Sequence, residues 1–222
     1  MKAKHMHRKN LGTRILTMIL SILAILLAVL CISVWMLFND PNAGRSLPSP
    51  SDAAISKVVS AVVSGTEVQL TQEEVGGLLN FYLENSASDD SETGVTAVSV
   101  AANEDGTVDF YAPVRYRGKV FGVVVNTFPS FDSSSEQLKF DVKSVQVGRL
   151  SIPVNLAMNF MESRLPSALS RDGNTFICNT KSLFYVNYSG LSVRLKMTKL
   201  NLQNKIFTVQ FQTELGLQDK IM

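Results

Sequence analysis

The chain has 222 residues, with 21 Lys and Arg against 19 Asp and Glu, and its two histidines are His5 and His7. Without an imidazole beyond His7, the body of the chain lacks the base of Ser-His-Asp and Cys-His catalysis and the commonest zinc ligand. Nor does its nearly balanced charge form a basic footprint for nucleic acid.

The N-terminus carries Lys2, Lys4, Arg8, Lys9 and Arg14 and no acid, and is followed by Ile15–Phe38, which contains no charged residue. About 20 apolar helical residues cross a bilayer, so this stretch predicts one transmembrane helix with room for tilt. The preceding cations predict that the N-terminus stays in the cytoplasm and the rest lies outside. Trp35, near the outer end, suits the headgroup layer. A cleaved signal peptide is the rival reading, but its apolar core is shorter and ends at small residues, unlike Ser33-Val34-Trp35. Leu30 before Cys31 also argues against lipoprotein processing.

All 19 acids lie from Asp40 onward, against 16 of the 21 basic residues, so this part has a formal charge of −3. Its length suits one domain. The chain divides into a basic cytoplasmic tail (1–14), a transmembrane helix (15–38), a linker (39–51) rich in Pro and Ser, and an extracytoplasmic α+β domain (52–222).

Ser51 or Asp52 caps a predicted helix reaching about Ser64, with Ile55, Val58, Val59 and Val62 on one stripe. Thr71 and Glu74 form a capping box for a second helix, with Val75, Leu78, Leu79 and Tyr82 at helical spacing. Gly76-Gly77 inside it implies either close packing against another backbone or a local kink. The polar run Glu84–Gly94 reads as a loop. Strand alternation follows at Val98–Ala102, Val108–Val114 and Gly118–Phe128, with a turn at Asn103–Gly106 and a polar connection at Phe131–Glu136. Leu138, Phe140 and Val142 alternate, and Val145 and Val147 continue one residue out of phase, as a β-bulge requires. Pro153 opens a short helix bearing Val154, Ala157, Met158, Met161 and Leu165, ending near Pro166. Phe184–Tyr188, Leu191–Met197 and Phe207–Phe211 return to strand, with Ser189-Gly190 and Asn204-Lys205 as turns. The whole predicts an α+β fold in which a strongly curved antiparallel sheet wraps around helices.

Little here carries catalysis. The paired acids Asp89/Asp90 and Asp132/Glu136 fall in polar loops, and no phosphate- or dinucleotide-binding glycine motif follows a strand. A Ser-Lys mechanism stays open. Cys178, beside Phe176 and Ile177, reads as a core thiol, and Asn187-Tyr188-Ser189 matches a glycosylation sequon. No enzyme activity, metal, cofactor or nucleic-acid partner is expected. What remains is apolar surface: Phe110, Phe121, Phe140, Phe160, Phe184, Phe207 and Phe211, with many valines, either fill an ordinary core or line a groove for an acyl chain.

Leu70-Thr71, Leu78-Leu79-Asn80, Tyr82-Leu83, Val120-Phe121-Gly122, Val147–Pro153 (VGRLSIP), Leu165-Pro166, Asn201-Leu202 and Ile206-Phe207 together resemble the YpmS family, small membrane-anchored proteins of Gram-positive bacteria with no established function. The resemblance covers the anchor and most of the outer domain. Asn201, where that family tends to an acid, and Val75-Gly76 depart from it. The family carries no catalytic motif to transfer. Its pattern is similar to tubular lipid-binding domains, which implies a membrane-tethered module that binds or presents lipid in a Gram-positive cell envelope. The alternative is a non-catalytic accessory protein that docks on another envelope protein.

Overall fold

The computed structural model describes residues 6–86, 93–95, 97–162, 169–180, 185–188 and 191–216. Helix α1 (Met6–Phe38) contains a 21-residue stretch, Met18–Phe38, with a mean hydropathy of 2.8, none of it buried. It is long and apolar enough to cross a membrane, and it stands clear of the core.

Helix α2 (Asp52–Ser64) starts at Ser51, whose hydroxyl accepts the Ala54 N–H at 3.2 Å. It stops at Gly65, where φ is +67° and the amide reaches back to Ala61 and Val62. A four-residue strand, β1 (Glu67–Leu70), leads into α3 (Gln72–Ser86). The predicted capping box is formed: the Thr71 amide donates to Glu74 Oε2 at 2.8 Å, and the Glu74 amide donates to Thr71 Oγ1 at 3.2 Å. Burial pushes the Glu74 carboxyl up, but the Thr71 amide and Lys57 outweigh it and hold the group below its usual value.

Beyond α3 the strands are β2 (Thr93–Val95), β3 (Ser99–Ala102), β4 (Val108–Tyr116), β5 (Lys119–Asp132), β6 (Gln137–Val147) and β7 (Leu150–Ile152). Helix α4 (Val154–Glu162) precedes β8 (Leu169–Asp172), β9 (Thr175–Asn179), β10 (Tyr185–Tyr188), β11 (Leu191–Gln203) and β12 (Ile206–Gly216). They form two hydrogen-bonded sheets. One has eight strands in the order β2-β4-β5-β6-β9-β8, with β3 also on β4 and β7 on β6; the other runs β1-β12-β11-β10. All pairings are antiparallel.

The expected bulge is at Lys143: Asn126 pairs with Ser144 and Thr127 with Val142, leaving Lys143 without an opposite residue. A second bulge, at Thr198 of β11, was not anticipated. Both let long strands bend, and the larger sheet curls into a half-barrel. Phe110 on β4 and Phe140 on β6 are two strands apart, roughly 9–10 Å in a flat sheet, yet their ring centroids lie 5.8 Å apart, edge to face. The face they share is therefore the concave one.

That concave face is packed at one end by α2, α3 and the smaller sheet, giving a core of Val68, Leu70, Val100, Val108, Phe207 and Phe211 among others. A second, smaller cluster joins Val142 and Val145 of β6 to Ala157 and Met158 of α4. The sequence reading differs at several points. Part of Glu84–Gly94 is ordered as the end of α3 and as β2, and β5 runs four residues past Phe128. The short strands β1, β7, β8 and β9 had no clear alternation to announce them. The Asp89/Asp90 pair, Pro166, Phe184 and the Ser189-Gly190 turn lie outside the described residues.

Candidate functional site

The register of the larger sheet decides which side chains share its concave face. Val114 pairs with Phe121, Ala112 with Val123 and Val123 with Val147. Beyond them Phe110 pairs with Val125, and Phe140 lies between Pro129 and Phe176. The result is an apolar surface running along β4, β5 and β6. Ala112, Val114, Phe121, Val123 and Val147 at one end are only partly buried, whereas Val108, Val142 and Val145 further along are sealed. The half-covered end is the one that meets α1.

The junction with α1 is specific. Phe38 packs against Phe121 with ring centroids 5.2 Å apart. The Arg149 amide donates to the Met36 carbonyl at 2.9 Å, and its guanidinium lies 6.0 Å from the Trp35 ring centroid. Two glycines permit this approach: a Cβ on Gly122 would overlap the Asp40 carboxylate, and one on Gly148 the Leu37 carbonyl. Gly148 is also at φ +60°, a conformation that disfavours other residues. Asp40 then accepts a 2.8 Å hydrogen bond from the buried Tyr111 hydroxyl. Burial first, and the Asp40 carboxylate second, push the Tyr111 hydroxyl up to about 12.

Residues 39–51 continue as a strap laid on the domain. Buried Asn80 donates from Nδ2 to the carbonyls of Pro48 (2.6 Å) and Val98 (3.0 Å), and its Oδ1 accepts the Val98 amide at 2.6 Å. One side chain thus ties the strap, α3 and the approach to β3 together. A Cβ on Gly76 would come within 2.7 Å of Pro48 Cγ, and one on Gly77 within 2.9 Å of the Ser49 carbonyl oxygen. Of the two readings of Gly76-Gly77, close packing is the one observed.

The seven candidate phenylalanines divide. Phe207 and Phe211 are buried in the main core, and Phe110 and Phe140 form the pair between the two clusters. Phe121 lines the half-covered end. Phe160 stands apart, 62% exposed on α4 beside exposed Leu156. Phe184 is outside the described residues. Sequence reasoning did not single out Ala112, Val114, Val123, Val147 or Phe38 for this surface, although the period-two alternation of β4 and β5 already placed most of them on one face.

The other residues weighed for chemistry have the following partners. Asp132 accepts from the Ser134 hydroxyl at 2.6 Å and from the Ser134 and Ser135 amides, which hold it well below the usual carboxylate range. Glu136 pairs with Lys196 at 3.1 Å. Cys178 is buried, and burial pushes its thiol up. Among the described residues, no group of three or more His, Cys, Asp or Glu is placed to hold a metal. An open hollow of about 740 Å³ lies between the β3–β4 and β11–β12 turns, lined by Asn103, Glu104, Leu202 and Lys205 among others. Its lining is largely polar and includes none of Ala112, Val114, Phe121, Val123 or Val147. No protein-family model, curated protein or solved structure matches the chain.

Proposed function

We propose that this protein is a membrane-anchored, non-catalytic module of a Gram-positive cell envelope that takes a lipid acyl chain onto the concave face of its half-barrel. The observation that carries this reading is the position of the half-covered apolar surface. It starts at Phe121, against the last residue of the apolar helix, so a chain leaving the bilayer meets Val114, Val123 and Ala112 without first crossing water. Each methylene moved from water to that surface contributes about 0.8 kcal/mol, so four or five suffice for useful binding where lipid is abundant. Retention of α1 as an anchor is supported by its packing: cleavage after residue 38 would strip Phe121 and Arg149 of their partners. The resemblance to the YpmS family supports the same reading.

Photocrosslinking tests it. The full chain is reconstituted with a phospholipid bearing a diazirine at the end of one acyl chain, irradiated, digested and mapped. Adducts at 112–114 and 121–123, lost in a Val123→Asp variant that keeps its fold by circular dichroism, support an acyl-binding face. Adducts confined to α1 in the native chain would sink it. A second reading, docking of another envelope protein, is favoured by the exposed Leu156 and Phe160, one turn apart on α4. Crosslinks from α4 to a second protein, with no adduct on β4 or β5, would select it.

A further inference from the structure

The β4–β5 hairpin extends past the junction. Phe121 sits beside Phe38, and the turn at Arg117-Gly118 lies three to four residues beyond Phe121 in the direction of the strand, about 10 Å further. The polypeptide enters α1 at this same end of the sheet: Asp40 meets Gly122, Phe38 meets Phe121, and Met36 and Trp35 meet the β6–β7 turn at Arg149. With Trp35 at the headgroup layer, the end of the sheet that packs on Trp35–Phe38 faces the membrane surface, and the hairpin tip is part of that end.

The composition of that tip fits the place. Arg115, Arg117 and Lys119 are exposed, and none is ion-paired among the described residues. Tyr116 and Val120 are exposed between them, at 45% and 57%, with the Arg117 guanidinium 5.4 Å from the Tyr116 ring centroid. Interleaved cations and an aromatic are what an interfacial segment needs: charge for phosphate, an amphipathic ring for the boundary. The turn itself keeps a cation where it is conformationally unfavourable. Arg117 and Gly118 have φ of +48° and +74°, and glycine or asparagine would adopt the first position more easily. Asp132, which closes β5, and Glu104 and Asp105, in the β3–β4 turn, lie at the opposite end of the strands, whereas Asp40, at Gly122, is engaged by the Tyr111 hydroxyl. The domain is net acidic, yet the described residues of this tip, Arg115–Lys119, carry three cations and no acid.

We infer that the β4–β5 hairpin tip is a docking surface for the anionic headgroups of phospholipids in the bilayer that α1 enters, holding the mouth of the concave face against that bilayer. This rests on α1 being a retained membrane anchor, but it does not require that an acyl chain enter the sheet. Each cation near an anionic surface changes affinity about fivefold, so the three together change it on the order of a hundredfold.

The test uses a single tryptophan. The chain has one, Trp35, so Trp35→Phe with Tyr116→Trp places the sole indole at the tip. The full chain is reconstituted in nanodiscs of phosphatidylcholine, with or without phosphatidylglycerol, in which lipids are brominated near the top of their chains. Strong quenching in the anionic discs and weak quenching in the zwitterionic ones is expected. It should be abolished by Arg115→Glu with Arg117→Glu and Lys119→Glu, and by high salt. Unchanged thermal unfolding of the charge-reversed variant shows that the fold survives. Equal quenching in both discs means apolar contact alone, and no quenching in either means that the tip faces water; each overturns the inference. A chain that does not co-purify with the discs overturns the anchor and the inference with it. The acyl-binding reading is judged separately, by its crosslinks.

Discussion

Replacing Asn80 with alanine removes three hydrogen bonds at once, to the Pro48 and Val98 carbonyls and from the Val98 amide. Asn80 is 3% exposed, so water does not readily take its place. At about 0.5–1.5 kcal/mol net for each bond, with part of the desolvation cost added, Asn80→Ala should cost about 3 kcal/mol. For a domain of this size that is a fall of about 6–12 °C in Tm. Thermal unfolding of the full chain in detergent, followed by circular dichroism, reads it. Hydrogen exchange adds a local signature, because the Val98 amide should lose protection together with residues 39–51. Asn80→Asp sharpens the argument: it keeps the size and the acceptor but turns a carboxylate toward two carbonyl oxygens. Its folded-state pKa is therefore raised, so this variant should be unstable at neutral pH and recover as the pH falls and the group protonates. A loss under about 1 kcal/mol in Asn80→Ala would refute the view that this side chain fixes the strap to the domain.

Two further outcomes follow from the same junction. Gly77→Ala should destabilise by about 1–3 kcal/mol, although alanine favours helix by about 1 kcal/mol, because its Cβ meets the Ser49 carbonyl oxygen at 2.9 Å; a chemical-denaturation midpoint higher than that of the native chain would refute the close packing. Tyr111, moved from 10.0 to about 12 in the folded chain, gives a signed pH dependence. Unfolded Tyr111 loses its proton first as the pH passes 10, so its contribution is complete below pH 10 and is lost as the pH climbs through 12. Stability measured across that window should fall more steeply in the native chain than in Tyr111→Phe, and parallel curves would refute the assignment.

Elements whose cause is local were legible in the sequence. Ser51 as a cap, the Thr71–Glu74 box, the Asn204-Lys205 turn and the phase shift after Val142 each depend on neighbouring residues, and each was found as expected. The curled α+β architecture followed from alternation plus that bulge. What escaped was set by distant partners. β1 is too short to show a period and exists because Val68 and Leu70 lie opposite Val209 and Phe207 of β12. The strap was likewise unreadable as anything but a linker, since its Pro and Ser content says only that it is not regular structure. Its placement depends on Asn80 and Gly76-Gly77, about 30 residues further on.

The same division applies to function. By itself, the sequence determined that one apolar segment is long enough to cross a bilayer, that no histidine follows His7, and that apolar residues alternate along several strands. These are properties of composition and period, which survive without knowledge of contacts. Only the tertiary structure decided which phenylalanines are consumed by the core, that the partly covered ones lie beside Phe38, and that Arg115, Arg117 and Lys119 share the end where the helix leaves. The reason is that exposure and direction are set by strand register and sheet curl, and both arise from pairings between residues far apart in the chain.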